Sequence, residues 1–280
     1  MFPSLESINA KLARARDQIE ALQQEVLRAQ SGNAYSAVPE INPQSGDKVW
    51  RLKVHRAEVM RLAVLIGEPL YNLRSALDHL VYQLSLAQCD DPERTGFPIF
   101  SHKTGIRKPG KSGQSENCFE RRGRNRIQYL SDEAKEIIEA VQPYNRCNPV
   151  GAYLWLTHEL NNLDKHRLAI APIVTLTQTL LNFSSTAGRA PLAVYGRIAS
   201  HSPQRCDDGD ILLGVAREDI YRLDEKEEPE FGFQIVFDVA LPYEFRPLYV
   251  MSTLRNIHEA ISDNLVPQFS GFFTRYGPAF

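Results

Sequence analysis

Arg74 and His79 stand five residues apart in the stretch NLRSALDHLVYQL (72–84). A histidine titrates near neutrality and can take or give a proton. An arginine offers a planar fork of donors that matches an anionic oxygen pair. The stretch reads as a helix, with Leu70, Leu73, Leu77, Val81 and Leu84 on one face at about 100° per residue. Glu68, Asn72, Ser75, His79 and Gln83 share the opposite arc, and Arg74 and Asp78 lie between the two, spaced i, i+4 as an ion pair. Residues five apart on a helix point about 140° away from each other. One helix therefore presents Arg74 and His79 poorly to a single ligand.

A second polar group lies in LTHELNNLDKHRLAI (156–170). Leu156, Leu160 and Leu163 share a face, while His158, Asn162, Lys165 and His166 cluster on another, beside Asp164. His158-Glu159 opens an H-E-x-x-H pattern, but its fifth position is Asn162. The two imidazoles that a zinc protease needs at i and i+4 are absent. A looser alternative is a bundle metal site that draws Glu68, His79, His158 and His166 from facing helices. The main reading has no metal and no cofactor.

The third feature is a basic loop. Between His102 and Arg126 eight Lys/Arg face two Glu, a net of +6. Inside it GIRKPGKS (105–112) matches a phosphate-binding loop through Gly105, Gly110, Lys111 and Ser112. Such a loop works by pointing backbone amides inward between a buried strand and a helix. Here Pro109 removes an amide, Gly113 follows where a helix should begin, and the flanking chain lacks strand–helix alternation. The match is read as an accident within a basic loop.

The elements that must carry these groups follow from periodicity. Leu5, Ile8, Leu12, Ala15, Ile19, Leu22, Val26 and Ala29 form a heptad seam on a first helix. The seam needs a partner, either a second copy or the next helix folded back. Residues 31–47 read as a polar loop and about 48–88 as a second helix, kinked at Pro69. The simplest arrangement is an antiparallel helical hairpin. Helix three starts at its cap Ser131 and helix four covers about 152–166. The runs LAIAPIVTLTQTLLNF, PLAVYGRIA, DILLGVAR and FGFQIVFDV are rich in β-formers and divided by turns, which predicts four antiparallel strands. A last helix buries Met251, Leu254, Ile257, Ile261 and Leu265, and Pro267 bends or ends it. The expected class is α+β: a long helical hairpin and bundle over residues 1–166, then a four-stranded sheet with a closing helix over 167–280.

Totals agree with such a chain. Its 280 residues accommodate one large domain or two small ones, and 43% hydrophobic with 24% charged residues is ordinary for a globular protein. The net charge of −2 excludes a polycation, so anion binding has to be local. Cys89, Cys118, Cys147 and Cys206 form no C-x-x-C pair and read as reduced thiols. No apolar run has the form of a signal peptide or a membrane span, so the expected location is cytoplasmic, away from membranes.

The R-x4-H form of Arg74 to His79 resembles the motif of HEPN domains, helical domains named for higher-eukaryote and prokaryote nucleotide binding. It departs from the family at Ser75, where Asn, Asp or His usually follows the arginine. The pattern NLRSALDHL…LDKHR also resembles a group of uncharacterised bacterial and phage proteins, which implies no activity. The HEPN resemblance implies a metal-independent endoribonuclease that works as a homodimer, so that two motifs face each other. It makes Arg74 and His79 catalytic, supported by Asn72, Ser75, Asp78, Asp164, Lys165 and His166. The basic loop would then hold the RNA backbone through Arg107, Lys108, Lys111, Arg121, Arg122 and Arg124. The alternative is a non-enzymatic interaction module that binds a protein partner.

Overall fold

The computed structural model describes residues 3–101, 119–145, 148–166, 172–180, 193–197, 204–223, 229–237 and 248–276. The fold is α+β, as the sequence predicts. The chain divides into two compact units assembled from separated stretches. One gathers Met1–Glu20, Ile66–Leu168 and Met251–Phe280; the other gathers Ala21–Leu65 and Ala169–Val250. The sequence reading instead divides the chain at residue 166. The difference arises because helices α1 (Glu6–Arg28) and α2 (Arg56–Ser85) each lend one part to each unit.

In the helical unit the first part of α1 runs antiparallel to the last part of α2. Ser4 N donates to Gln83 Oε1 at 2.9 Å, Lys11 Nζ to Asn72 Oδ1 at 3.2 Å, and Gln18 Nε2 to Glu68 Oε2 at 2.9 Å. These partners, Ser4 just before α1 and Lys11 and Gln18 within it, recur every seven residues, so one polar row flanks the apolar seam. Ile8, Leu12, Ala15 and Ile19 of that seam are buried within the single chain. The next helix folded back is therefore the partner that the seam has. α2 continues through Pro69 without a break. Gly67 is needed there for space, since a Cβ would lie 2.5 Å from Asp164 Oδ1.

The short helix α3 (Arg124–Arg126) follows a π-helical turn at Phe119–Gly123. Then come α4 (Asp132–Ala140) and α5 (Pro149–His166). Ser131 caps α4, its side chain accepting from Ala134 N at 3.3 Å, as read from the sequence. After the strands, α6 (Val250–Glu259) passes through π and 3₁₀ turns around Pro267 into α7 (Ser270–Tyr276). Leu254, Ile257, Ile261 and Leu265 form its buried face, and Met251 is half-buried.

The sheet unit corrects the reading of residues 31–55. These are not a polar loop leading into a helix but a hairpin of β1 (Tyr35–Ile41) and β2 (Lys48–Val54). The turn closes through Asn42 N to Asp47 O and Gly46 N to Asn42 O, both 2.8 Å, with Gly46 at φ +78°. Pro39 is tolerated because β1 is an edge strand. The remaining strands are β3 (Pro172–Leu180), β4 (Val194–Tyr195), β5 (Gln204–Cys206), β6 (Ile211–Val215) and β7 (Glu230–Phe237). All four predicted runs supply a strand, yet they do not make one sheet. β4 and β6 join the hairpin in the order β1-β2-β6-β4, while β5-β3-β7 form a second antiparallel sheet. Trp50, Leu213 and Val215 form a core cluster of this unit.

Candidate functional site

The site is built from the helical unit alone. Arg74 points away from the polar row that flanks α1 and is 9% exposed. Its Nη2 donates to Asp78 Oδ1 at 2.8 Å and to the carbonyl of Phe97 at 2.7 Å. Asp78 Oδ1 also accepts from Phe97 N at 2.9 Å. The pair thus satisfies both backbone groups of one buried residue. Gly96 helps by bringing the backbone close, for a Cβ there would lie 3.3 Å from Asp78 Oδ1.

Gln142 performs the same service two positions on. Its Nε2 donates to the carbonyls of Pro98 and Ile138 at 2.8 and 2.9 Å, and its Oε1 accepts from Phe100 N at 3.0 Å. Phe97, Pro98 and Ile99 are buried and Phe100 is half-buried, and no described strand pairs with them. Buried backbone polar groups require partners, and three side chains supply them here. No motif or spacing marks Gln142, which sits just after α4.

One nitrogen of this arrangement remains. Arg74 Nη1 is buried and has no hydrogen-bond partner among the described residues. Burial lowers the pKa of the guanidinium, Asp78 opposes that, and the charge of Arg126 lowers it further. Arginine nonetheless stays charged. On α5, His158 is half-buried, and its Nε2 lies 3.0 Å from Asn162 Nδ2. Burial lowers the pKa of its imidazole, and the charges of Arg74, Arg126 and Lys165 lower it further. Arg126 and Lys165 are exposed, and no ion pair engages either among the described residues. Three cations thus act on one imidazole, and Asp78, the carboxylate of the group, is already held by Arg74 and Phe97.

The lowered His158 pKa sets a sign for acid stability. The unfolded chain takes a proton on this residue near pH 6.5, and the folded chain only at lower pH. Stability is therefore full above that value and falls as the pH drops toward the folded pKa. In urea titrations, His158→Gln should lose less stability than wild type between pH 7.5 and 5.5. Equal losses would contradict the assignment.

The other sequence-predicted residues are placed as follows. His79 is half-buried, on the arc that carries Glu68, Asn72 and Gln83 toward α1, and bonds to no described residue. No hydrogen bond or ion pair joins it to Arg74. Asn72 bonds to Lys11 and Gln18, and Ser75 is half-buried on the same arc. That arc is therefore a helix–helix flank, which accounts for its polar company. Asp164 lies against Gly67, and burial raises its pKa against the opposing charge of Lys165. Among the described residues no three metal-ligating side chains gather, so Glu68, His79 and His158 do not converge. The side chain of His166 lies outside the described residues, as do Arg107, Lys108, Lys111 with its glycine-rich match, and the side chain of Arg121. Arg122 is exposed. Arg124 is already paired with Glu120 at 2.7 Å and Glu139 at 3.3 Å. No family model, curated protein or solved structure matches the chain.

Proposed function

We propose that the helical unit binds RNA through its phosphates, with Arg74 as the anchoring guanidinium, and cleaves it without a metal ion. The observation that carries this reading is the buried Nη1 of Arg74, which has no partner among the described residues and feels the charge of Arg126. A charged donor left unsatisfied inside a protein costs on the order of 1–3 kcal/mol or more. A phosphate oxygen removes that cost and meets the charges of Arg126 and Lys165. RNA is the polymer that the R-x4-H resemblance implies. In such a cleavage the ribose 2′-oxygen bonds to phosphorus as the bond to the 5′-oxygen breaks. The 2′-proton passes to a base, and the departing oxygen takes a proton from solvent. Cations around the phosphate stabilise the charge that gathers there.

The test uses the full chain, a labelled single-stranded RNA and a chelator. Binding should fall steeply with salt. The double variant Arg126→Ala/Lys165→Ala should bind at least tenfold more weakly and flatten the salt slope by about 2. Both residues are exposed, so the fold should survive their loss. A wild type that binds no RNA, or a double variant that binds as wild type does, overturns the reading in favour of an interaction module. Binding with no chelator-resistant cleavage removes the catalytic half alone.

A further inference from the structure

We infer that the outer edge of β1 is complementary to itself, and that Pro39 keeps it from pairing with a second copy of this chain. The inference concerns the sheet unit and is independent of any ligand of the helical unit.

The hydrogen bonds of the hairpin locate the open edge. His55 N donates to Ala34 O and Asn42 N to Asp47 O, both at 2.8 Å. Between these two ends the register pairs Ser36 with Lys53, Val38 with Arg51 and Glu40 with Val49. Backbone groups therefore face β2 at Ala34, Ser36, Val38, Glu40 and Asn42. Alternate residues of an antiparallel strand turn theirs the other way, and those are Tyr35, Ala37, Pro39 and Ile41. β1 ends the order β1-β2-β6-β4, so the outward groups meet no further strand among the described residues. Tyr35 is buried, but the chain opens beyond it: Ala37 is half-buried, and Val38, Pro39, Glu40 and Ile41 are exposed. Ile41, an apolar side chain, is 56% exposed. An open edge of this kind is a template for another strand.

The open stretch is symmetric about Pro39. A two-fold axis beside that residue sets Ala37 against the second copy's Ile41, Pro39 against the second copy's Pro39, and Ile41 against the second copy's Ala37. Each such pair exchanges two hydrogen bonds when both residues carry an N–H. Proline has none, and its ring occupies the space of the incoming carbonyl. The central pair thus loses both bonds where the two rings meet. Sliding the register by two residues keeps Pro39 among the outward groups, so the donor is missing there as well. Position 39 is selective in this respect. A proline at 38 or 40 would take a bond from the hairpin itself, whereas at 39 it takes one only from an added strand. Charge contributes little to the barrier, because Glu40 is already paired with Arg51 of β2. Proline is what remains to block the edge.

Pro39→Val tests the inference on the full chain. Sedimentation equilibrium should give the variant twice the wild-type mass and no more, since pairing about a two-fold axis uses up the edge. The amides of Ala37 and Ile41 should exchange with solvent about tenfold more slowly in the variant than in wild type. Pro39→Val/Ile41→Pro moves the proline two places along the same edge and should return the chain to the wild-type mass. Pro39 is exposed and has no N–H to lose, so the fold should survive its replacement. Circular dichroism checks this, and Pro39→Thr repeats the test with a second β-forming residue. A variant that keeps the wild-type mass overturns the inference. So does a doubled mass with Ala37 and Ile41 still exchanging at the wild-type rate, or growth beyond a doubling. A wild type in which dilution speeds the exchange of those two amides overturns it too, because its edge would already be paired.

Discussion

Asp78→Ala lowers the unfolding free energy by about 3 kcal/mol, the order expected when a buried charge loses its partner. Asp78 is itself 41% exposed, but its guanidinium partner is 11% exposed at the side chain. The variant strands that charge and also leaves Phe97 N without its acceptor. Asp78→Asn separates the two effects. It keeps an oxygen for Phe97 N and removes only the charge, so roughly half the loss should remain. Urea denaturation at pH 7.5 measures both. Sulfate should restore more stability to Asp78→Ala than it adds to wild type, because the guanidinium then has a freed N–H on Nη2 beside Nη1, while Nη2 keeps its bond to the Phe97 carbonyl. A loss below about 1 kcal/mol would mean that the pair behaves as a surface ion pair.

Gln142→Leu has the second large effect, again about 3 kcal/mol. The substitution preserves approximate volume and gains some apolar burial. It nevertheless orphans Pro98 O, Phe100 N and Ile138 O at once, and each unsatisfied buried group costs about 1–3 kcal/mol. Hydrogen exchange gives a local readout. The amide of Phe100 should exchange much faster in the variant, and that of Phe97, held by Asp78, should follow. If only the global midpoint moved, with Phe100 still protected, Gln142 would be a packing residue and not a staple. The two variants together test whether residues 97–100 form the wall against which Arg74 is held.

How far the site was legible depends on the residue. Arg74 and Asp78 were readable as an i, i+4 pair, and they are one. Helical periodicity assigns residues to faces, but it does not say which face another segment covers. The pair therefore reads as an ordinary surface pair until Phe97 is seen lying over it. His79 shows the converse error. Its polar neighbours suggested a site, whereas Glu68, Asn72 and Gln83 take their partners from α1. The sequence reading counts Arg126 with the basic loop, and places His158 in the polar cluster of α5 and in the alternative metal site. Nothing in their spacing announces that the charges of Arg74 and Arg126 act on the His158 imidazole. The hairpin at 35–54 was missed for a different reason. KVWRLKV, followed by Val59 and Leu62, fits a helical stripe as well as a strand. The turn residues Asn42, Pro43 and Gly46 were the better signal.

The sequence by itself determined the local grammar of this protein: the heptad seam of α1, the buried stripe of α2, the cap at Ser131 and the β-rich runs after residue 171. Each is a property of neighbouring residues, so it needs no distant information. Tertiary structure alone decided the rest. It split the strands between two sheets, buried the seam within one chain, turned the polar arc of α2 into a helix contact and brought Arg74, Asp78 and Gln142 to the backbone of residues 97–100. The physical reason is that a charge cluster and a sheet order depend on pairings between residues tens of positions apart. Those pairings are selected by what the whole chain can bury and satisfy together, which no short window of sequence contains.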